Sequence, residues 1–126
     1  MELLTPGERA AVEAVDVDQM LTLLKDLIAI PSVANAEGPA QRRMEKAMQA
    51  AGLETDLWHI DFESLKKHPA YTSDVERTEG LGLVGVTSTD SLGPTLILNG
   101  HIDVVPAGEA SRWVHPPFAL TRDGDH

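Results

Sequence analysis

Cysteine is absent from the 126-residue chain. Its absence removes disulfides, thiolate metal ligands and cysteine nucleophiles together, so any metal site must use histidine, carboxylate or water. Positive charge is scarce: ten Lys and Arg stand against twenty Asp and Glu, a formal charge of -10 at pH 7. A polyphosphate rewards clustered cations through counterion release, so nucleic acid is excluded as an expected partner. Arg42-Arg43 and Lys66-Lys67 are too isolated to reverse that balance. Long apolar runs are missing as well. The longest, Leu27 to Ile30, falls far short of the roughly 18 residues of a membrane-spanning helix, and no membrane partner is expected. The first residues do not read as a secretory leader, because Glu2 and Glu8 stand where positive charge belongs and Leu3-Leu4 is too short for an apolar centre. The expected compartment is the cytoplasm. Neither an internal repeat nor a low-complexity tract suggests a solenoid or a disordered tail.

What is present, 42% apolar and 24% charged residues, suits one domain of ordinary composition, long enough to bury a core. Thr5-Pro6-Gly7-Glu8 predicts a capping box opening an Ala/Val helix to about Val15. A second start at Asp16 or Asp18 leads into Met20, Leu23, Leu24, Leu27 and Ile28, the spacing of a helix laid on a core. Pro31 stops it near Ile30, since the residue before proline is pushed out of the α region. Pro39 opens a third helix with Met44, Ala47, Met48 and Ala51 on one face, and Gly52 supplies its stop. Then the period changes. Glu54 to Ile60, Leu81 to Thr87 and Thr95 to Val105 read as strands, while Phe62 to Glu79 is polar and aperiodic, either a surface excursion or a binding rim. The predicted fold class is therefore α/β: a layered sheet with flanking helices, one unit over residues 1–126. At the end, Phe118 to Arg122 resembles a strand and Asp123-Gly124 a hairpin turn whose return arm is cut short, so the expectation is the front part of a longer protein. A frayed tail is the alternative.

Chemistry concentrates in Leu96-Ile97-Leu98-Asn99-Gly100-His101-Ile102-Asp103-Val104-Val105-Pro106. The three aliphatics suit a buried central strand, and residues two apart in an extended chain project together, so His101 and Asp103 can face one pocket. Imidazole is a good zinc ligand, and a ligating histidine commonly donates its other ring N–H to a carboxylate, the place Asp103 can fill if it is not itself a ligand. The same pair also suits a histidine and aspartate that merely hold a strand-end turn. Zinc, moreover, needs about three or four ligands. Gly80-Leu81-Gly82-Leu83-Val84-Gly85 matches a dinucleotide fingerprint, but Val86-Thr87-Ser88-Thr89 continues as β-favouring sequence where a helix should open. Strand glycines that allow close approach explain it better. His59, His68 and His115 read as surface or locally bonded histidines, and His126 with Asp123 and Asp125 as turn chemistry at a loose end. Trp113 and Phe118 are expected to anchor the loop after the histidine.

Gly100 to Pro106, followed by Trp113, Pro116-Pro117-Phe118 and Asp123-Gly124, resembles the start of the zinc-dependent aminoacylase and carboxypeptidase family, which includes acetylornithine deacetylase, succinyl-diaminopimelate desuccinylase and glutamate carboxypeptidase. Leu27-Ile28-Ala29-Ile30-Pro31-Ser32-Val33 is similar to that family's pattern ahead of the histidine. The resemblance spans about residues 20 to 126. It implies the N-terminal part of a zinc-peptidase-like catalytic domain, with His101 as a zinc ligand and Asp103 as the catalytic-site acid that orients it. It further implies two zinc ions per active site, with Co or Mn as substitutes, and hydrolysis of N-acyl amino acids or small peptides in a homodimer. The family's bridging aspartate, catalytic glutamate, remaining ligands and lid domain match nothing here, so this chain alone is expected to be inactive and to bind zinc weakly. The rival expectation is a non-catalytic α/β assembly module in which His101 and Asp103 are structural.

Overall fold

The computed structural model describes residues 4–73, 75–87 and 93–124. Helix α1 (Pro6–Glu13) begins on the expected capping box: the Glu8 N–H donates to the Thr5 hydroxyl at 3.3 Å, and the Glu8 carboxylate accepts from the Thr5 N–H at 2.6 Å. It packs against no other element among the described residues. Helix α2 (Val17–Ile28) is capped by Asp16, whose carboxylate accepts from the Gln19 N–H at 2.9 Å. Helix α3 (Gly38–Ala50) opens one residue ahead of Pro39 and stops at Gly52, whose φ of 81° is the left-handed conformation a helix end favours. Arg43 of α3 donates through Nε and Nη2 to Asp26 of α2 at 3.0 and 2.9 Å, joining the two helices.

Strands β1 (Glu54–His59) and β2 (Leu81–Val86) pair antiparallel, from Glu54 opposite Val86 to His59 opposite Leu81. One face of this ribbon lies under α3, and α2 lies on α3. Of the glycines of the apparent dinucleotide fingerprint, Gly82 and Gly85 lie in β2 and Gly80 immediately precedes it, and the surroundings of all three are crowded. A Cβ on Gly85 would sit 2.9 Å from Met48 Sδ of α3, one on Gly80 would sit 2.9 Å from the Phe62 ring, and one on Gly82 would overlap the Trp58 indole lying across it. Met48 is thus on the core face the helix spacing predicts. The core is thin: among the described residues only Ala40, Ser32 and Glu37 are buried. No helix among them is long and apolar enough to cross a membrane.

Three stretches depart from expectation. Thr95 to Val105 forms no strand, and Leu96, Ile97 and Leu98 are 80%, 83% and 87% exposed. Aliphatic composition equips a segment for a sheet, but ladder hydrogen bonds to a neighbour make the strand, and β1 and β2 pair only with each other among the described residues. Phe118 to Arg122 forms no strand either; Gly124 does adopt a turn conformation at φ 60°, while Asp125 and His126 lie outside the described residues. Ser88 and Thr89, expected to prolong β2, lie outside them too. Within the polar stretch after β1, helix α4 (Phe62–Leu65) makes one turn capped by Asp61. Further along, Asn35, itself at φ 66°, accepts from the Thr78 N–H at 2.9 Å and donates to the Glu76 carbonyl at 2.9 Å. One side chain from the loop after α2 therefore fastens the end of that excursion.

Candidate functional site

The loop that follows α2 also holds the segment bearing the histidine. Ser32 is 3% exposed; its hydroxyl donates to the Ile102 carbonyl at 2.7 Å, and the Val104 N–H donates to the Ser32 carbonyl at 3.0 Å. Two backbone groups of residues 102 and 104 are satisfied by one serine, which is how an unpaired extended segment is kept in place. Pro31, just ahead of Ser32, disfavours the helical conformation at Ile30 and so keeps α2 from running on into this loop.

His101 and Asp103, on either side of Ile102, are brought together as their spacing predicts. His101 Nδ1 is 3.0 Å from the Asp103 carbonyl oxygen and 3.3 Å from its carboxylate Oδ1. A carbonyl oxygen only accepts, so this contact calls for the proton on Nδ1, and in the neutral ring that leaves the lone pair on Nε2. That ring is 84% exposed, with Nε2 engaged by no described residue. The arrangement is the one a ligating histidine uses: second nitrogen tied down, first nitrogen open.

Behind the pair stands a charge sequence that spacing did not foretell. Arg77 Nη2 is 3.9 Å from Asp103 Oδ2, and Arg77 Nη1 donates to the buried carboxylate of Glu37. Glu37 therefore gives no side-chain cap to α3, although it occupies the N-cap position. With Gln41 and Tyr71, these four residues line a cleft of about 380 Å³. The excursion after β1 thus supplies part of the rim around His101. Arg77 carried one weak signal in the sequence: it is the lone Lys or Arg between Lys67 and Arg112. Nothing local marked Glu37, because its burial depends on a partner 40 positions away.

The residues fit the first part of a zinc site. His101 Nε2 is an available imidazole nitrogen, and Asp103 faces Nδ1 with both its backbone carbonyl, at 3.0 Å, and its carboxylate, at 3.3 Å. Among the described residues no group of three or more His, Asp or Glu converges to complete a coordination shell. His68 Nδ1 accepts locally from the Ala70 N–H at 3.1 Å, and His59 and His115 line other clefts. On the far side of the histidine segment, Trp113 donates from Nε1 to the Ala107 carbonyl at 2.8 Å. Together with Phe118, Leu27 and Val104 it lines an apolar cleft of about 230 Å³, but it is 49% exposed, so it holds the loop through this hydrogen bond rather than by the burial its size suggested.

The chain is similar to a desuccinylase. Over 115 residues it is 30% identical to the succinyl-diaminopimelate desuccinylase of Afipia carboxidovorans, covering 86% of this chain and 24% of that relative. The chain thus spans about a quarter of the length of the curated relative it matches. No protein-family model matches it.

Proposed function

We propose that this chain is the N-terminal part of the catalytic domain of a metal-dependent amidohydrolase, with His101 as one zinc ligand. The observation that carries the reading is the His101 ring itself, its Nδ1–H directed at Asp103 and its Nε2 left open at a cleft. Similarity to a desuccinylase over most of the chain supports a hydrolase and disfavours the reading as a non-catalytic assembly module. The exposed Leu96 to Leu98 run supports a domain whose sheet is continued by further polypeptide.

His101 would hold zinc through Nε2, Asp103 would keep the ring in the required tautomer and orientation, and the rim residues Tyr71, Thr72, Ser73 and Arg77 would border the substrate. Zinc, when bound, supplies a water acidic enough to act as hydroxide near neutral pH. A two-zinc site needs further ligands and a general base that match no residue of this chain, so the 126-residue piece alone is inactive. The substrate class is an N-acyl amino acid, a succinylated one first, or a small peptide. In the polypeptide as its gene encodes it, His101→Ala should remove zinc and hydrolysis of N-succinyl amino acids while leaving thermal unfolding nearly unchanged, because the ring is largely exposed. A His101→Ala protein that kept full zinc content and activity would end the assignment.

A further inference from the structure

The Arg77 guanidinium is held between a buried carboxylate and the one beside the histidine. On one side it donates to Glu37, whose side chain is 8% exposed; on the other, Nη2 stands 3.9 Å from Asp103 Oδ2. Asp103 Oδ1 is the oxygen turned toward His101 Nδ1 at 3.3 Å. The two oxygens of one carboxylate are therefore divided between a cation and an imidazole, and the cation is itself anchored from behind. A half-exposed aspartate has a choice of rotamers, and the planar guanidinium, with five donors in a rigid fork, favours the rotamer that faces Oδ2 toward it. Glu37 offsets the cost of a partly buried arginine and stops it from turning into solvent, for Glu37 is fixed at the start of α3.

Resting on the metal-ligand reading of His101, we infer that Arg77 is a positioning residue for the zinc site. It acts through Asp103, holding that carboxylate so that Oδ1 meets His101 Nδ1 and Nε2 is aimed into the cleft. Glu37 is the anchor that keeps the guanidinium there. The excursion between β1 and β2 thereby contributes to metal binding without supplying a ligand.

The test measures zinc affinity by competition with a chromophoric chelator, and the visible bands of the Co²⁺-loaded form, in the polypeptide as its gene encodes it. Because Arg77→Met leaves Glu37 buried and bare, the working variant is Glu37→Gln/Arg77→Met, with circular dichroism and melting as the check on folding. Loss of a carboxylate partner of a ligating histidine typically costs 10–100-fold in metal affinity. Displacing that carboxylate by removing Arg77 should cost less, about 3–10-fold, with altered Co²⁺ bands and partial recovery in Arg77→Lys. In an Asp103→Asn background the same Arg77 change should add less than about twofold, since the path runs through Asp103. An unchanged zinc affinity in the folded double variant, while His101→Ala loses zinc, would overturn the role of Arg77 and leave His101 standing. A loss of equal size with and without Asp103 would reduce Arg77 to a structural part. Retention of zinc by His101→Ala would bring down the underlying reading instead.

Discussion

Ser32 and Ile102 stand 70 positions apart in the chain and are joined by a 2.7 Å hydrogen bond from the serine hydroxyl to the isoleucine carbonyl. The Val104 N–H returns to the Ser32 carbonyl at 3.0 Å. The two segments that resemble the zinc aminoacylase pattern are thus one structural feature: the first is the clamp, and the second is what it holds. His101 and Asp103 lie on either side of the clamped residue, so the place of the pair against the rest of the fold depends on that loop.

Ser32→Ala should therefore destabilise the chain by about 1–2 kcal/mol, the cost of leaving a part-buried carbonyl without its donor, read as a shift in the urea midpoint at constant slope. Hydrogen exchange of the Val104 amide should accelerate in the same variant, because its acceptor sits on the loosened residue. An amide protected as in the parent would mean that the hydroxyl is incidental to the clamp.

Gly82 accommodates Trp58 across the β1–β2 pair, where a Cβ would overlap the indole. Gly82→Ala should cost about 1–3 kcal/mol through overpacking and displacement of the ring, visible as a red-shifted or quenched tryptophan signal and a lower melting temperature. Trp58→Ala removes the obstruction, so adding Gly82→Ala to it should cost far less than in the parent. Simple additivity of the two changes would contradict this packing.

The Glu8 carboxyl is held below its ordinary value, chiefly by the Thr5 backbone N–H and then by the Thr5 hydroxyl. A carboxyl whose folded pKa is lowered contributes stability that is fully present above the unfolded value and is lost as pH falls through the lowered one. Helicity of α1, followed by the Cα chemical shifts of Ala10 and Ala11, should be flat near neutral pH and decline only in that acidic window. Because α1 packs on no other described element, the step should be local. Glu8→Gln should abolish it; a decline of the same size in that variant would assign it to another group.

Three helices were legible in advance because their signals are local. The Thr5–Glu8 box, the Asp16 cap, Pro31 and Gly52 act within a turn of their own positions, and β1 and β2 follow from short strand-favouring runs set off by Gly and Pro. The His101–Asp103 contact was legible for the same reason, being a matter of two residues in extended chain. The strand expected at Thr95 to Val105 was not, since aliphatic side chains state a preference for a sheet and a sheet needs a neighbour to bond. Likewise a serine in a loop does not announce that a carbonyl from the far end of the chain will come to it.

Composition and short-range pattern by themselves determined the absence of thiolate chemistry, the acidic surface, the placement of the first three helices and the nearness of one imidazole to one carboxylate. Tertiary structure alone decided which distant groups close around that pair: Ser32 under it, Arg77 behind it, and Glu37 behind Arg77. The division follows from the physics. Caps, turns and periodicity act over a few residues, whereas buried hydrogen bonds and ion pairs are satisfied by whatever partner the folded chain delivers, at any sequence distance.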